Sequence, residues 1–332
     1  MPRSMRVGHC LNRVKRGQVA CARVTVCLLV HIPHELDYYA QRFDVLKYAL
    51  ASLWAHTDRD AYDLLVFDNG SCANVAAYLR ALRDAGRIDL LIASANRGKI
   101  DACRMMFAAA PGDVVAYADD DVWFGPGWLE AQLRILDTFP RVGTVSGRPV
   151  RQQFAYGLSY LDRYLAEFPD ITCERGRLIP DDWEREYLRS TGRSEAEVEA
   201  MALRIEDVRL TCRGVSAYAT AAHLQFLAPR RLVLDAIEHP TVPKTGSEER
   251  QVEETIAAAG YARLSTTERY IRHIGNVVSA ELVAAVGGVS ERPYTPPAGA
   301  VAGVARLRAA RAILGRINRF TFQLLYQPPQ GR

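Results

Sequence analysis

Residues 114–128 read VVAYADDDVWFGPGW, and the fold of the chain turns on how that stretch is understood. Val114 to Ala118 is a short apolar run rich in β-formers, preceded by the turn pair Pro111-Gly112. Such a run predicts a parallel strand buried on both faces. It ends in three carboxylates, Asp119, Asp120 and Asp121, and Gly125-Pro126-Gly127 then opens a helical pattern from Trp128 to Thr138. In an open α/β sheet, ligands bind beyond the carboxyl ends of the strands, so acid gathered there is placed for chemistry rather than packing. Strand alternation predicts Asp119 and Asp121 on one side and Asp120 on the other. Two carboxylates on one side raise each other's pKa unless a cation joins them. A hard divalent ion, Mg²⁺ or Mn²⁺, with oxygen ligands and room for substrate phosphates answers that need. A solvated acidic turn explains an isolated Asp-x-Asp equally well, so the surrounding chain has to decide.

At 332 residues, 49% hydrophobic and 24% charged, the composition is that of an ordinary globular protein. The net charge of +4 is modest and basic residues gather at the two ends, which argues against nucleic-acid binding. The seven cysteines are odd in number, scattered and never in C-x-x-C spacing, so they read as reduced thiols of a cytoplasmic protein. Arg3, Arg6, Arg13, Lys15 and Arg16 precede the apolar run Val24 to Ile32 in the manner of a signal peptide. Pro33-His34-Glu35 follows instead of a small-residue cleavage site, so the run is read as a buried strand. Nowhere do the roughly 20 apolar residues of a membrane span occur together.

Upstream, three further strand-loop-helix units are predicted. The first strand, Arg23 to Ile32, ends at His31-Ile32-Pro33-His34 and is followed by a helix over 42–56. The second, Asp63 to Phe67, runs into Asp68-Asn69-Gly70-Ser71, with Ser71 placed to cap the next helix. The third, Ile88 to Ala93, runs into Asn96-Arg97-Gly98-Lys99, a basic glycine-containing loop at a helix N-terminus. Backbone donors, helix dipole and a cation there suit a phosphate, although the Walker A spacing is absent.

Asp68-Asn69-Gly70-Ser71, Asn96-x-Gly98-Lys99 and Ala118-Asp119-Asp120-Asp121 followed by Gly127-Trp128-Leu129 resemble, in order and separation, the GT-A-fold glycosyltransferases of family 2. The resemblance covers residues 22–147. It implies a GT-A-like α/β fold, a Rossmann-like central mixed sheet flanked by helices, with a helical extension at the C-terminus. It also implies a nucleotide-sugar donor, a UDP- or GDP-sugar, its nucleobase held by the loop of Ile32 and Pro33 and by Asp68. Asn96, Gly98 and Lys99 would lie near the nucleotide with Asp119 and Asp120, while Asp119 and Asp121 would join the metal to the diphosphate.

Farther on, Thr245-Gly246-Ser247-Glu248-Glu249 before a helix ending at Gly260-Tyr261 resembles the family's Gly-Glu-Asp segment, whose acid is the general base. Glu stands where Asp is usual; Glu249 is the first choice for the base and Glu248 the second. His273, in Tyr270-Ile271-Arg272-His273, matches a histidine that joins the metal or diphosphate ligands in related enzymes. The aromatics of 154–168 and Trp183 are read as packing before sugar stacking.

The expected organisation is a basic arm (1–21), a nucleotide-sugar-binding half (22–147), an acceptor-binding and catalytic half (148–280), and a linker with a basic amphipathic helix (281–332). That last helix, with Arg306, Arg308 and Arg311 beside Leu307, Ala310 and Leu314, suits an anionic membrane surface or packing on the catalytic domain. The expected activity is metal-dependent transfer of a sugar to an acceptor hydroxyl, inverting, in glycan or glycolipid synthesis, at the cytoplasmic side and on the inner face of the membrane if that helix binds lipid. The acceptor would be a sugar, a lipid-linked molecule or a small molecule. Two other readings compete. A phosphatase of the haloacid dehalogenase type also places D-x-D after an apolar strand, but wants Thr or Val where this chain has Trp123. A non-catalytic sugar- or membrane-binding protein would keep the fold alone.

Overall fold

The computed structural model describes residues 21–155, 158–202 and 205–287. The basic arm up to residue 20 and the C-terminal helix beyond Gly299 lie outside the described residues. Four parallel strands open the fold: β1 (Val24–Val30), β2 (Tyr62–Asn69), β3 (Leu90–Ser94) and β4 (Val114–Asp119). The helices between them are α1 (Arg42–His56), α2 (Ala73–Asp84) and α3 (Lys99–Ala109). A short strand, β5 (Val122–Phe124), and α4 (Trp128–Thr138) lead to β6 (Val142–Ser146). The second half adds α5 (Leu161–Glu167), β7 (Thr172–Gly176), α6 (Asp181–Ser190), α7 (Glu195–Ala202), β8 (Asp207–Cys212), β9 (Val215–Tyr218) and β10 (Gln225–Pro229). It closes with α8 (Arg230–Glu238), α9 (Glu248–Ala258), β11 (Ala262–Ser265), β12 (Ile271–His273) and α10 (Ala280–Val286).

Ten strands form one mixed sheet in the order β3-β2-β1-β4-β10-β6-β11-β9-β8-β7, and β12 pairs with β5 in a separate ribbon. This is the expected central mixed sheet flanked by helices, and both halves of the chain contribute to it. Strands β1 and β2 and the body of β4 are buried on both faces, because helices cover each side. One face packs Val26, Leu28, Leu64 and Ala116 with Leu46 and Leu50 of α1; the other packs Cys27, Phe67 and Tyr117 with Met106 and Phe107 of α3. Fully burying a Leu or Phe side chain contributes about 1.5–3 kcal/mol, so the parallel core is the stable platform.

Register sets the crevice. Val30 lies beside Asp68 and Leu29 beside Asp119, so both acids lie at the carboxyl ends of their strands on the same edge, flanking β1. Antiparallel β10 enters between β4 and β6, and Asp119 donates its N–H to the Leu224 carbonyl at 2.9 Å. Gln225 is fully buried there, accepting from Gly147 N at 2.9 Å and donating to Gln132 at 3.1 Å.

Strands β7, β8, β12 and β5 were not expected from the sequence: β5 and β12 are three residues each and pair across about 150 positions, and β7 finds its partner β8 some 40 positions on, while β8 forms a hairpin with β9. Phe154, Tyr160 and Tyr164 are buried in the core of the second half, as packing predicted. Among the described residues no helix is long and apolar enough to cross a membrane. The six described cysteines are free thiols.

Candidate active site

The alternation expected of the three acids does not hold. Strand β4 stops at Asp119 and the chain turns before β5, so period-two geometry ends where the acids begin. Asp120 and Asp121 both face Arg42, the first residue of α1: one guanidinium nitrogen pairs with Asp120 and the other reaches Asp121 Oδ2 at 2.5 Å. Asp119 turns instead to Lys99 at 2.9 Å and takes the Tyr117 hydroxyl.

Burial opposes charge on all these groups, yet the pairing wins for most of them. Burial works to lower the Arg42 pKa, but Asp120 and Asp121 raise it above the ordinary value. Lys99 behaves the same way, with Asp119 outweighing burial. Asp121 is held well below the usual carboxylate range, since His273 and Arg42 overcome its burial. Asp120 goes the other way: burial, with Asp121 and Asp119 beside it, pushes it up to about 7 in spite of Arg42.

His273 reaches Asp121 through the β5–β12 ribbon. His273 pairs with Val122, and Ile274 N donates to the Asp121 carbonyl at 2.7 Å. The imidazole Nε2 then lies 3.3 Å from Asp121 Oδ2, and Nδ1 lies 2.8 Å from the Ser190 hydroxyl. Gly125 lets the ribbon close, because a Cβ there would stand 2.8 Å from the Tyr270 carbonyl oxygen.

The loops after β1, β2 and β3 interlock on Asn69, which is 3% exposed. Its Oδ1 accepts from Arg97 N at 2.8 Å and its Nδ2 donates to Asn96 Oδ1 at 3.3 Å. Its carbonyl meets His31 Nδ1 at 2.9 Å, and His31 N donates to Asp120 at 3.3 Å. Asn96 Oδ1 accepts from Gly98 N at 2.8 Å, and Gly98, with φ +76°, starts the helix that carries Lys99. Asp68 is buried and closes its own turn, accepting from Ser71 N at 2.9 Å. Ser71 is not the cap of α2, which is Cys72; its hydroxyl instead takes the N–H of buried Ile32 at 3.2 Å. Pro33 follows, partly exposed at the rim.

Glu248 and Glu249 occupy the first turn of α9, capped by Ser247. They diverge: Glu248, 55% exposed, pairs with Lys244 in solvent, while Glu249, 27% exposed, points to Lys99 at 3.9 Å. Burial would raise the Glu249 pKa, but its own backbone N–H and Lys99 lower it. Beneath Lys99 and Glu249 an apolar cavity extends between Cys103, Tyr117, Phe226 and Ile256, with His223 at its wall. Among the described residues no three His, Cys, Asp or Glu side chains converge into a ready cation cage.

Sequence reasoning missed Arg42, Asn69 and Tyr117 as members of the site. Arg42 left one signal, a cation in the first turn of a helix, where the dipole disfavours it.

A parallel half, an antiparallel strand let in beside β4 and acids at the carboxyl edge make a mixed α/β sheet with carboxylates where such sheets bind ligands. Residues 38–195, a little under half of the chain, match the model of Glycosyl transferase family 2. No curated protein matches the sequence. Among solved structures, the mannosyltransferase PcManGT from Pyrobaculum calidifontis, in complex with GDP-Man and Mn²⁺, is similar at 15% identity and TM-score 0.44, covering 76% of this chain and 56% of that one. S. aureus TarS 1–349 is similar at 11% identity and TM-score 0.43, covering 75% of this chain and 59% of that one. This chain thus spans less than two thirds of either.

Proposed function

We propose that the protein moves a sugar from a UDP- or GDP-sugar to an acceptor hydroxyl with inversion at the anomeric carbon, aided by Mn²⁺ or Mg²⁺. The observation that carries this reading is the meeting of Asp119, Lys99 and Glu249 at the carboxyl end of β4. A motif acid, a cation and a carboxylate from the far half of the chain converge where an α/β sheet binds ligands.

The residues fit a divalent ion. Asp121 Oδ1 is buried with no hydrogen-bond partner, and His273 stands beside the other oxygen. Magnesium-type ions that share their shell with substrate phosphates take only one or two protein carboxylates. Asp121 with His273 and Asp119 would hold the ion, which when bound supplies positive charge to the departing diphosphate.

The chain's own groups account for the rest. The Asn69-centred loops hold the nucleotide end of the donor, and Ile32, Pro33 and Asp68 border its base. Lys99, kept charged by Asp119, faces the phosphates from the start of α3. Glu249, ionised at neutral pH, takes the proton of the acceptor hydroxyl as its oxygen bonds to the anomeric carbon. The bond to the diphosphate breaks in line, and its electron pair leaves with the diphosphate.

Incubation with UDP- and GDP-sugars and Mn²⁺ tests the reading against the phosphatase alternative. Release of nucleoside diphosphate without hydrolysis of p-nitrophenyl phosphate is expected. The reverse result would reinstate the phosphatase.

A further inference from the structure

The segment between β9 and β10 carries one exposed polar side chain among buried neighbours. Ala221, Ala222 and Leu224 are buried, and His223 between them is exposed. Three hydrogen bonds pin the backbone around it. The Ala221 carbonyl accepts from Arg263 at 3.1 Å, Ala222 N donates to Ser146 Oγ at 3.0 Å, and the Leu224 carbonyl accepts from Asp119 N at 2.9 Å. His223 is thus held beside the end of β4, and it lines the same cavity as Lys99 and Glu249. The transfer chemistry described so far leaves it unused.

A buried relay sets which ring nitrogen carries the proton. Glu253 pairs with Arg263 at 2.8 Å, and Arg263 Nη2 donates to Gln153 Oε1 at 3.0 Å. Arg263 and Gln153 are both buried, so neither turns to water instead. A guanidinium only donates, which forces the carboxamide oxygen of Gln153 to face it. The amide nitrogen is left toward His223 Nδ1, 3.4 Å away, and an amide nitrogen also only donates. Nδ1 of the neutral ring therefore accepts, and the proton sits on Nε2. Nε2 has no hydrogen-bond partner among the described residues.

Lys99 and Asp119 mark the place of the diphosphate, and Glu249 marks the hydroxyl that attacks the anomeric carbon. The donor's sugar ring spans the interval between them. His223 borders that interval, one residue from the carbonyl that holds Asp119 and on the wall it shares with Glu249. Sugar hydroxyl oxygens are neutral acceptors, which a single N–H donor suits. We propose that His223 binds the donor's sugar, its Nε2–H donating to a ring hydroxyl, and that Gln153 is the positioning residue that fixes this tautomer. This rests on the glycosyl-transfer reading. The donor is chosen over the acceptor because Leu224 ties His223 to the strand end that carries the diphosphate.

Calorimetric titration with Mn²⁺ present tests it, comparing UDP and GDP with UDP-glucose, UDP-galactose, UDP-N-acetylglucosamine and GDP-mannose. His223→Ala should weaken the best-bound nucleotide sugar about 3- to 10-fold, as loss of one hydrogen bond does, and leave UDP and GDP affinity unchanged. His223→Gln, which keeps a donor, should recover part of the loss. Nitrogen-15 spectra of the histidine rings give a readout apart from binding. They should show His223 protonated on Nε2 in the wild type and on Nδ1 in Gln153→Glu, whose carboxylate accepts from the ring. Wild-type nucleotide binding with no loss for any nucleotide sugar in His223→Ala, or with an equal loss for the bare nucleotide, would overturn this inference alone. A wild-type ring protonated on Nδ1 only would overturn it as well. Absence of nucleotide binding in the wild type would remove the transfer reading and this inference with it.

Discussion

Arg42 donates to Asp121 at 2.5 Å across 79 positions of sequence, joining the first turn of α1 to the acids that end β4. The same guanidinium neutralises Asp120, and all three groups are less than a tenth exposed. Removing one partner of a buried ion pair strands the others. Arg42→Met should therefore lower the unfolding free energy by about 3–5 kcal/mol in urea denaturation at neutral pH. Arg42→Lys should recover little, because an ammonium cannot bridge two carboxylates as the fork does. Full stability in either variant would contradict this role.

Glu249 and Glu248 differ in aim, and their variants should differ accordingly. Glu249→Gln is expected to slow nucleoside diphosphate release in transfer by about 10²–10⁴-fold, the span of a general base. Glu248→Gln should leave the rate near that of the wild type. Equal losses would mean that both act merely as first-turn acids of α9.

The pH profile follows from the sign of the Glu249 shift. Its carboxyl lies below the ordinary 4.5, so the base form is present above that pH and is lost only as pH falls through a lower value. The profile of kcat/KM should show no acid-side inflection from Glu249 between pH 5 and 8. Lys99→Met removes a neighbouring cation and should move the acid limb upward. A limb that stays in place would detach Glu249 from Lys99.

Gly70 holds φ +82°, and a Cβ there would meet Asn96 N at 2.7 Å. Gly70→Ala should cost about 1–2 kcal/mol from the left-handed backbone alone. It should also push the 95–96 backbone away from Asn69, raising KM for the donor more than it lowers kcat. Unchanged KM would separate these loops from the nucleotide.

Much of this was legible in the sequence, and the limits are physical. The apolar run Val114 to Ala118, the Asn96 to Lys99 loop and the Ser247-capped acids are local signals, so period and turn chemistry place them. The pairing of Arg42 with Asp120 and Asp121 is not local, and no spacing rule connects residue 42 to residue 121. Alternation misassigned Asp120 because it was carried past the last residue of the strand. Strand β12, three residues long, exists through its pairing with β5 and had no period of its own to display. Arg42 still conflicted with the dipole of its helix, and a local conflict of that kind marks a functional position more often than chance placement does.

The central claim is that the acids ending β4 serve a nucleoside diphosphate through a divalent ion. Calorimetric titration of UDP and GDP, with and without Mn²⁺, into the wild type and Asp121→Ala tests it most directly. Metal-dependent binding of one nucleotide, abolished in Asp121→Ala, is the predicted result. Binding of neither nucleotide under any condition, or metal-dependent binding that Asp121→Ala leaves intact, would contradict it.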